Sequence, residues 1–207
     1  MTALYAPVWD TSVPPGGFVC NVCAMPVETE PCDDHAPKRS VVGLDLSLTA
    51  TGVADLSAPR HTSRIRPGDL RGTERLRYIY AAVGDQIDGA ELVVVEGPSY
   101  GSMSGAGHHE AAGLWWLIRY ELDLYKLPVA VVPPSVLKKY ATGRGNATKA
   151  DMRVALLQRT GIDLRDDNEV DAWWLAAAGH HHLGELLVEL PAAQRAALGS
   201  VAWPESS

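Results

Sequence analysis

The chain has 207 residues, which suits one domain with an appendage better than two full domains. Its 46% apolar content supports a hydrophobic core, and no apolar run reaches the ~20 residues of a membrane helix. A net charge of -7 opposes general affinity for nucleic acid, so any such contact must rest on a local basic patch.

Residues 1–40 differ from the rest of the chain. A basic stretch followed by an apolar one is missing, so no secretory leader is expected. All three cysteines fall here, in the pattern C-x2-C-x8-C-x2-H formed by Cys20, Cys23, Cys32 and His35. An odd, clustered number argues against a disulfide-stapled domain. Two close pairs of soft or borderline ligands match what tetrahedral zinc requires, so a structural Zn2+ is one reading. A loosely ordered arm with free thiols is the other.

Val41 to Leu44 form an apolar run typical of a strand buried on both faces, and Asp45 interrupts it. A carboxylate there is costly unless it is paired or binds metal. Thr51-Gly52 turns into a second strand, Val53 to Leu56, and His61 to Arg66 forms a third before Pro67-Gly68. Gly72 to Asp88 has helical spacing at Leu76, Ile79, Tyr80 and Val83, with Thr73 as a cap.

Leu92 to Val95 repeat the opening device, an apolar strand that delivers one acid, Glu96, before Gly97-Pro98. A Gly/Ser-rich loop follows, with Tyr100 at the mouth of the candidate site or packed beneath the loop. Residues 108–125 read as a long helix in which Trp115-Trp116 suit the core or a dimer surface. His108 and His109 sit at its start or line the site. Leu127 to Val132 is a strand, and Ser135 is a candidate cap for the next helix.

Lys138, Lys139, Arg144 and Lys149 then concentrate four cations around Gly143 and Gly145 in an otherwise acidic chain. Such a glycine-linked cluster fits backbone phosphates, although a solvated surface would look similar. Asp151 to Thr160 is helical. The last long helix starts near Asp166, and Asn168 or Asp167 shares a face with Asp171 by three- or four-residue spacing. An N-terminal dipole role also explains Asp167 and Asn168. Asp171 precedes a nearly wholly apolar helix, which has to be buried. His180-His181-His182 close that helix and are assigned no function. Residues 191–207 read as a short amphipathic piece and a polar tail.

The order strand-Asp, hairpin, helix, strand-Glu, helix, strand, basic loop, helix-Asp resembles the RNase H-like nucleases. It is most similar to RuvC-type Holliday junction resolvases of the divergent phage type. The likeness runs through Gly43-Leu44-Asp45, Thr51-Gly52, Glu96, Leu127-Pro128-Val129, Lys138, the Gly143/Gly145/Ala147/Lys149 frame and Asp171-Ala172. It spans about residues 41–183, and departs from the family at Leu46-Ser47, where Pro-Gly is usual, and at Asn168, where an acid or His is usual.

The resemblance implies a mixed α/β sheet flanked by helices over 41–190, with the arm at 1–40 and the tail at 191–207. It implies a two-Mg2+ endodeoxyribonuclease of branched DNA, with Mn2+ able to substitute. Asp45, Glu96 and Asp171, helped by Asn168 or Asp167, would hold the metal, and Lys138, Lys139, Arg144, Lys149 and Tyr100 would contact DNA. It further implies a homodimer and a cytoplasmic setting in a bacterial or phage-infected cell. Two other readings stay open: a catalytically weak junction-binding protein, and an actin-like or sugar-kinase-type ATPase. Against the ATPase stand the short chain and the lack of a second phosphate loop.

Overall fold

The computed structural model describes residues 39–57, 62–98 and 106–205, together with the backbone of three short strands nearer the start. Two compact units divide at Arg39. In the first, β1 (Tyr5–Pro7), β2 (Phe18–Cys20) and β3 (Pro26–Val27) form an antiparallel sheet in that order. Cys20 ends β2, while Cys23, Cys32 and His35 lie outside the described residues, and so does Tyr100.

The second unit is built on a five-stranded mixed sheet. Its strands are β4 (Val41–Asp45), β5 (Thr51–Asp55), β6 (Thr62–Ile65), β7 (Leu92–Glu96) and β8 (Val129–Val132). Their order is β6-β5-β4-β7-β8. β4 is central, antiparallel to β5 and parallel to β7. Side chains alternate along each strand. Val42, Leu44, Val93 and Val95 therefore pack with Ile79, Val83, Leu114, Ile118 and Leu122 of helices α1 (Gly72–Ile87) and α2 (Ala106–Leu124). Val41, Leu92 and Val94 face the opposite layer, which holds α3 (Pro134–Thr142), α4 (Lys149–Thr160) and α5 (Asp167–His182). By the same parity Asp45 and Glu96 lean toward the α5 side.

α5 is buried from Val170 to His180, apart from Asp171. It lies so close to the sheet that a Cβ on Gly43 would sit 2.1 Å from the Ala172 carbonyl oxygen and 2.6 Å from the Ala176 nitrogen. A Cβ on Gly52 would sit 2.0 Å from the Asn168 oxygen. Glycine is required at both places because only a bare backbone admits the helix.

The helix starts differ in part from the expectations. α1 begins after Arg71 without a side-chain cap, which leaves Thr73 inside its first turn. α3 begins after Pro133 with Pro134 at its first position, where the fixed φ of proline is already helical, so Ser135 caps nothing. α4 starts at Lys149, ahead of Asp151, because Thr148 and Asp151 form a reciprocal capping box. Asp166 caps α5 by accepting from the Asn168 and Glu169 N–H groups.

The segment after Pro191 packs into this unit. Short helix α6 (Ala192–Arg195) and a 3-10 turn (Ala196–Ser200) bury Gln194, Ala197 and Leu198, and Val201 follows. Gln194 is held twice, donating to the Tyr140 carbonyl at 3.0 Å and accepting from Arg159 at 3.0 Å. These apolar and amide contacts make it part of the core, where the sequence reading set residues 191–207 apart as a tail.

Candidate metal and nucleic-acid site

β4 and β7 run parallel and end together, with Leu44 paired to Val95 one residue before each acid. Asp45 and Glu96 therefore emerge side by side at the C-terminal edge of the sheet. Asp45 is only 8% exposed, and its carboxyl lies beside that of Glu96. Asp171 enters from the second turn of α5, which the two glycines hold against β4 and β5.

All three acids are pushed upward in pKa. Burial is the largest cause for Asp45, which rises to about 7, followed by repulsion from Asp171. Burial and then the neighbouring Asp45 raise Glu96 to about 8. Burial raises Asp171 to about 6, against the pull of Lys149. Burial and repulsion among the acids favour the protonated form of both Asp45 and Glu96. Among the described residues, no three His, Cys, Asp or Glu side chains form a closed metal-holding set. The arrangement is two adjacent carboxyls with the third acid, Asp171, close enough to repel both. Such crowded, buried negative charge is relieved by protons or by cations, and all-carboxylate oxygens are the donor type that hard divalent ions take.

The basic cluster divides. Lys138, half-buried on α3, acts on Glu96 and Asp171, and Lys149, at the start of α4, acts on Asp45 and Asp171. Lys149 Nζ also lies 3.4 Å from Asp167. Arg144 pairs with Asp151 at 3.1 Å, and Lys139 is exposed in the last turn of α3. Asn168 donates its amide N–H to the Ala50 carbonyl and so ties α5 to the β4–β5 turn. Thr51 Oγ1 closes that turn, donating to the Ser47 carbonyl at 2.8 Å and accepting the Ser47 N–H at 3.1 Å.

A cleft of about 250 Å³ opens beside the acids. Asp45, Leu46, Glu96 and Pro98 line one side, and His108, Ala111, Ala112 and Trp115 of α2 line the other. Two supporting residues escaped the sequence reading. Arg64 on β6 pairs with the cap Asp166 at 2.6 Å and approaches Glu169 at 3.7 Å, which fixes the start of α5. Trp115 donates its indole N–H to the Glu96 carbonyl at 3.3 Å. The spacing 108, 111, 112, 115 is one helix face, and its small Ala111-Ala112 pair was the available signal. The outward face of α2 leaves Trp116 68%, Tyr120 64% and Leu124 57% exposed.

A central strand ending in Asp, a parallel neighbour ending in Glu and a packed helix bearing Asp define an RNase H-like α/β domain. Within that class the chain resembles RuvC in both sequence and fold. It is 35% identical over 123 residues to the crossover junction endodeoxyribonuclease RuvC of Salinibacter ruber, a match covering 53% of this chain and 65% of that relative. It superposes on the structure of Thermus thermophilus RuvC with a TM-score of 0.56 at 19% identity, covering 72% of this chain and 99% of that one. The same organism's RuvC in complex with a Holliday junction substrate gives 0.60 at 18% identity, covering 73% and 100%. No family model matches the chain.

Proposed function

We propose that the protein is a divalent-cation-dependent endodeoxyribonuclease that hydrolyses phosphodiester bonds in four-way junctions or other branched DNA. The observation that carries this reading is the convergence of Asp45, Glu96 and Asp171, from three elements, at one sheet edge with Lys138 and Lys149 beside them. The likeness to RuvC, including RuvC bound to a junction, supports the choice of substrate.

In this reading Asp45, Glu96 and Asp171 hold Mg2+, with Mn2+ able to replace it. When bound, the ion supplies Lewis-acid activation of the attacking water and neutralises charge at phosphorus. Lys138 and Lys149 hold the phosphate backbone close to the acids. Lys139 and Arg144 extend the basic surface along the DNA. Asn168 fixes the hairpin turn through its amide N–H, and Asp167, next to Lys149, stands as the additional carboxylate. Trp116, Tyr120 and Leu124 supply the apolar face on which a second copy docks to form a two-fold dimer that cuts opposite strands.

The test is incubation of the protein with a labelled four-way junction, a fork and a linear duplex, with and without Mg2+. Asp45→Asn should abolish cleavage of the branched substrates and leave binding intact. Full cleavage by Asp45→Asn, or equal cutting of the linear duplex, overturns the proposal.

A further inference from the structure

Glu96 is the last residue of β7, and the chain leaves the sheet immediately after it. On one side the ladder still holds this end, because the Gly97 N–H donates to the Val132 carbonyl at 2.8 Å. Pro98 then brings no N–H. The carbonyl of Glu96 itself accepts from the Trp115 indole, nineteen positions along the chain on α2. Trp115 also forms part of the cleft wall opposite Asp45 and Glu96, and its ring meets that of Trp116 edge-on, with centroids 5.0 Å apart at 88°.

Resting on the metal-dependent reading above, we propose that Trp115 is a positioning residue that fixes the peptide of Glu96 and thereby sets the cation affinity of the acid cluster. The physical reason is leverage. A carboxylate on a strand end can reach a ligating position only if its own backbone is held, and outer contacts of this kind tune affinity roughly ten- to a hundredfold in metal sites. Trp115 touches neither the reacting atoms nor the ion in this account. It acts through Glu96. Trp203, whose indole N–H donates to the Leu198 carbonyl at 3.2 Å in the segment after Pro191, serves as the matched control.

The experiment is calorimetric titration of the full chain with Mn2+, beside thermal unfolding of the metal-free protein, for wild type, Trp115→Phe and Trp203→Phe. Phe keeps most of the ring and removes the N–H donor. Trp115→Phe should weaken Mn2+ binding by roughly tenfold without a comparable fall in thermal midpoint, and Trp203→Phe should bind as wild type does. Wild-type affinity in Trp115→Phe overturns the proposal, as does a lower thermal midpoint with unchanged affinity. Should Trp115→Phe not fold, nitrogen-proton NMR of the wild-type chain decides. The Trp115 indole resonance should move saturably with Mg2+, and a static resonance overturns the role. Asp45→Asn separates the two levels. If it binds Mn2+ normally, the metal-dependent reading itself falls. If it loses binding while Trp115→Phe does not, only the positioning role falls.

Discussion

Gly43→Ala is the most direct probe of how the site is assembled. The added methyl would stand 2.1 Å from the Ala172 carbonyl oxygen and 2.6 Å from the Ala176 nitrogen, whereas ordinary contacts begin near 3.4 Å. Both obstacles are backbone, so no side chain can rotate away. α5 has to retreat by more than an ångström, carrying Asp171 with it. Overpacking of this kind costs about 1–3 kcal/mol, occasionally more. For a domain of this size that is a fall in Tm of roughly 2–12 °C. A displacement of about 1 Å at a reacting group costs on the order of 100-fold in rate, so cleavage of a branched substrate should fall further than stability alone explains.

Gly179→Ala gives the comparison. Its methyl would lie 2.5 Å from Val41 Cγ1 and 2.7 Å from Val94 Cγ2, two turns further along the same helix and far from the acids. It should lower Tm and leave cleavage at a temperature well below Tm near that of wild type. Thermal unfolding and a junction-cleavage time course on both variants are sufficient. If Gly43→Ala keeps wild-type Tm and rate, the close approach of α5 does not place Asp171.

The raised acids give the metal-free protein a stability that depends on pH in a defined direction. A carboxyl that keeps its proton in the folded state contributes fully below its unfolded pKa near 4, and that contribution is lost as pH climbs through about 6 for Asp171 and about 7 to 8 for the Asp45–Glu96 pair. Asp171 alone accounts for roughly 3 kcal/mol, so urea midpoints in chelator should fall from acidic to alkaline pH, and saturating Mg2+ should flatten the trend. A midpoint that rises over this window without metal contradicts the crowding. On the outer face of α2, Trp116→Glu combined with Tyr120→Glu removes two exposed aromatics one turn apart. Against the dimer proposed for the wild type, sedimentation should then report a monomer with an unchanged fold. A persisting dimer assigns the interface elsewhere.

What could be read in the sequence were features encoded by neighbours. Apolar runs ending in one acid located β4 and β7, and the all-apolar stretch after Asp171 announced a buried helix. What could not be read were contacts made across the fold. Nothing near Arg64 in sequence indicates that it pairs with Asp166, 102 positions away. The three-residue spacing of Asn168 from Asp171 is visible in the sequence, whereas the Ala50 carbonyl that accepts its side-chain N–H is not. The basic cluster looked uniform, yet Arg144 is drawn to the capping-box acid Asp151 while Lys138 and Lys149 turn toward the site. The apolar residues after Pro191 were too few to show a period, and their burial depends on the surface that α3 offers.

The direction of α5 bears on how so acidic a chain would present the proposed site to a polyanion. Asn168 meets Gly52, Ala172 and Ala176 meet Gly43, and Gly179 meets Val41, so the helix runs antiparallel to β4 and its N-terminus lies over the strand's acid-bearing end. The positive end of a helix dipole thus sits with the three carboxyls, where it favours negative charge. The same edge receives Lys138 and Lys149, because α3 and α4 pack on the α5 layer. Net charge averages over a surface that DNA does not sample. What a phosphate would meet here is two lysines and a helix N-terminus around acids that a cation neutralises, so the local field can favour binding while the global charge of -7 opposes it.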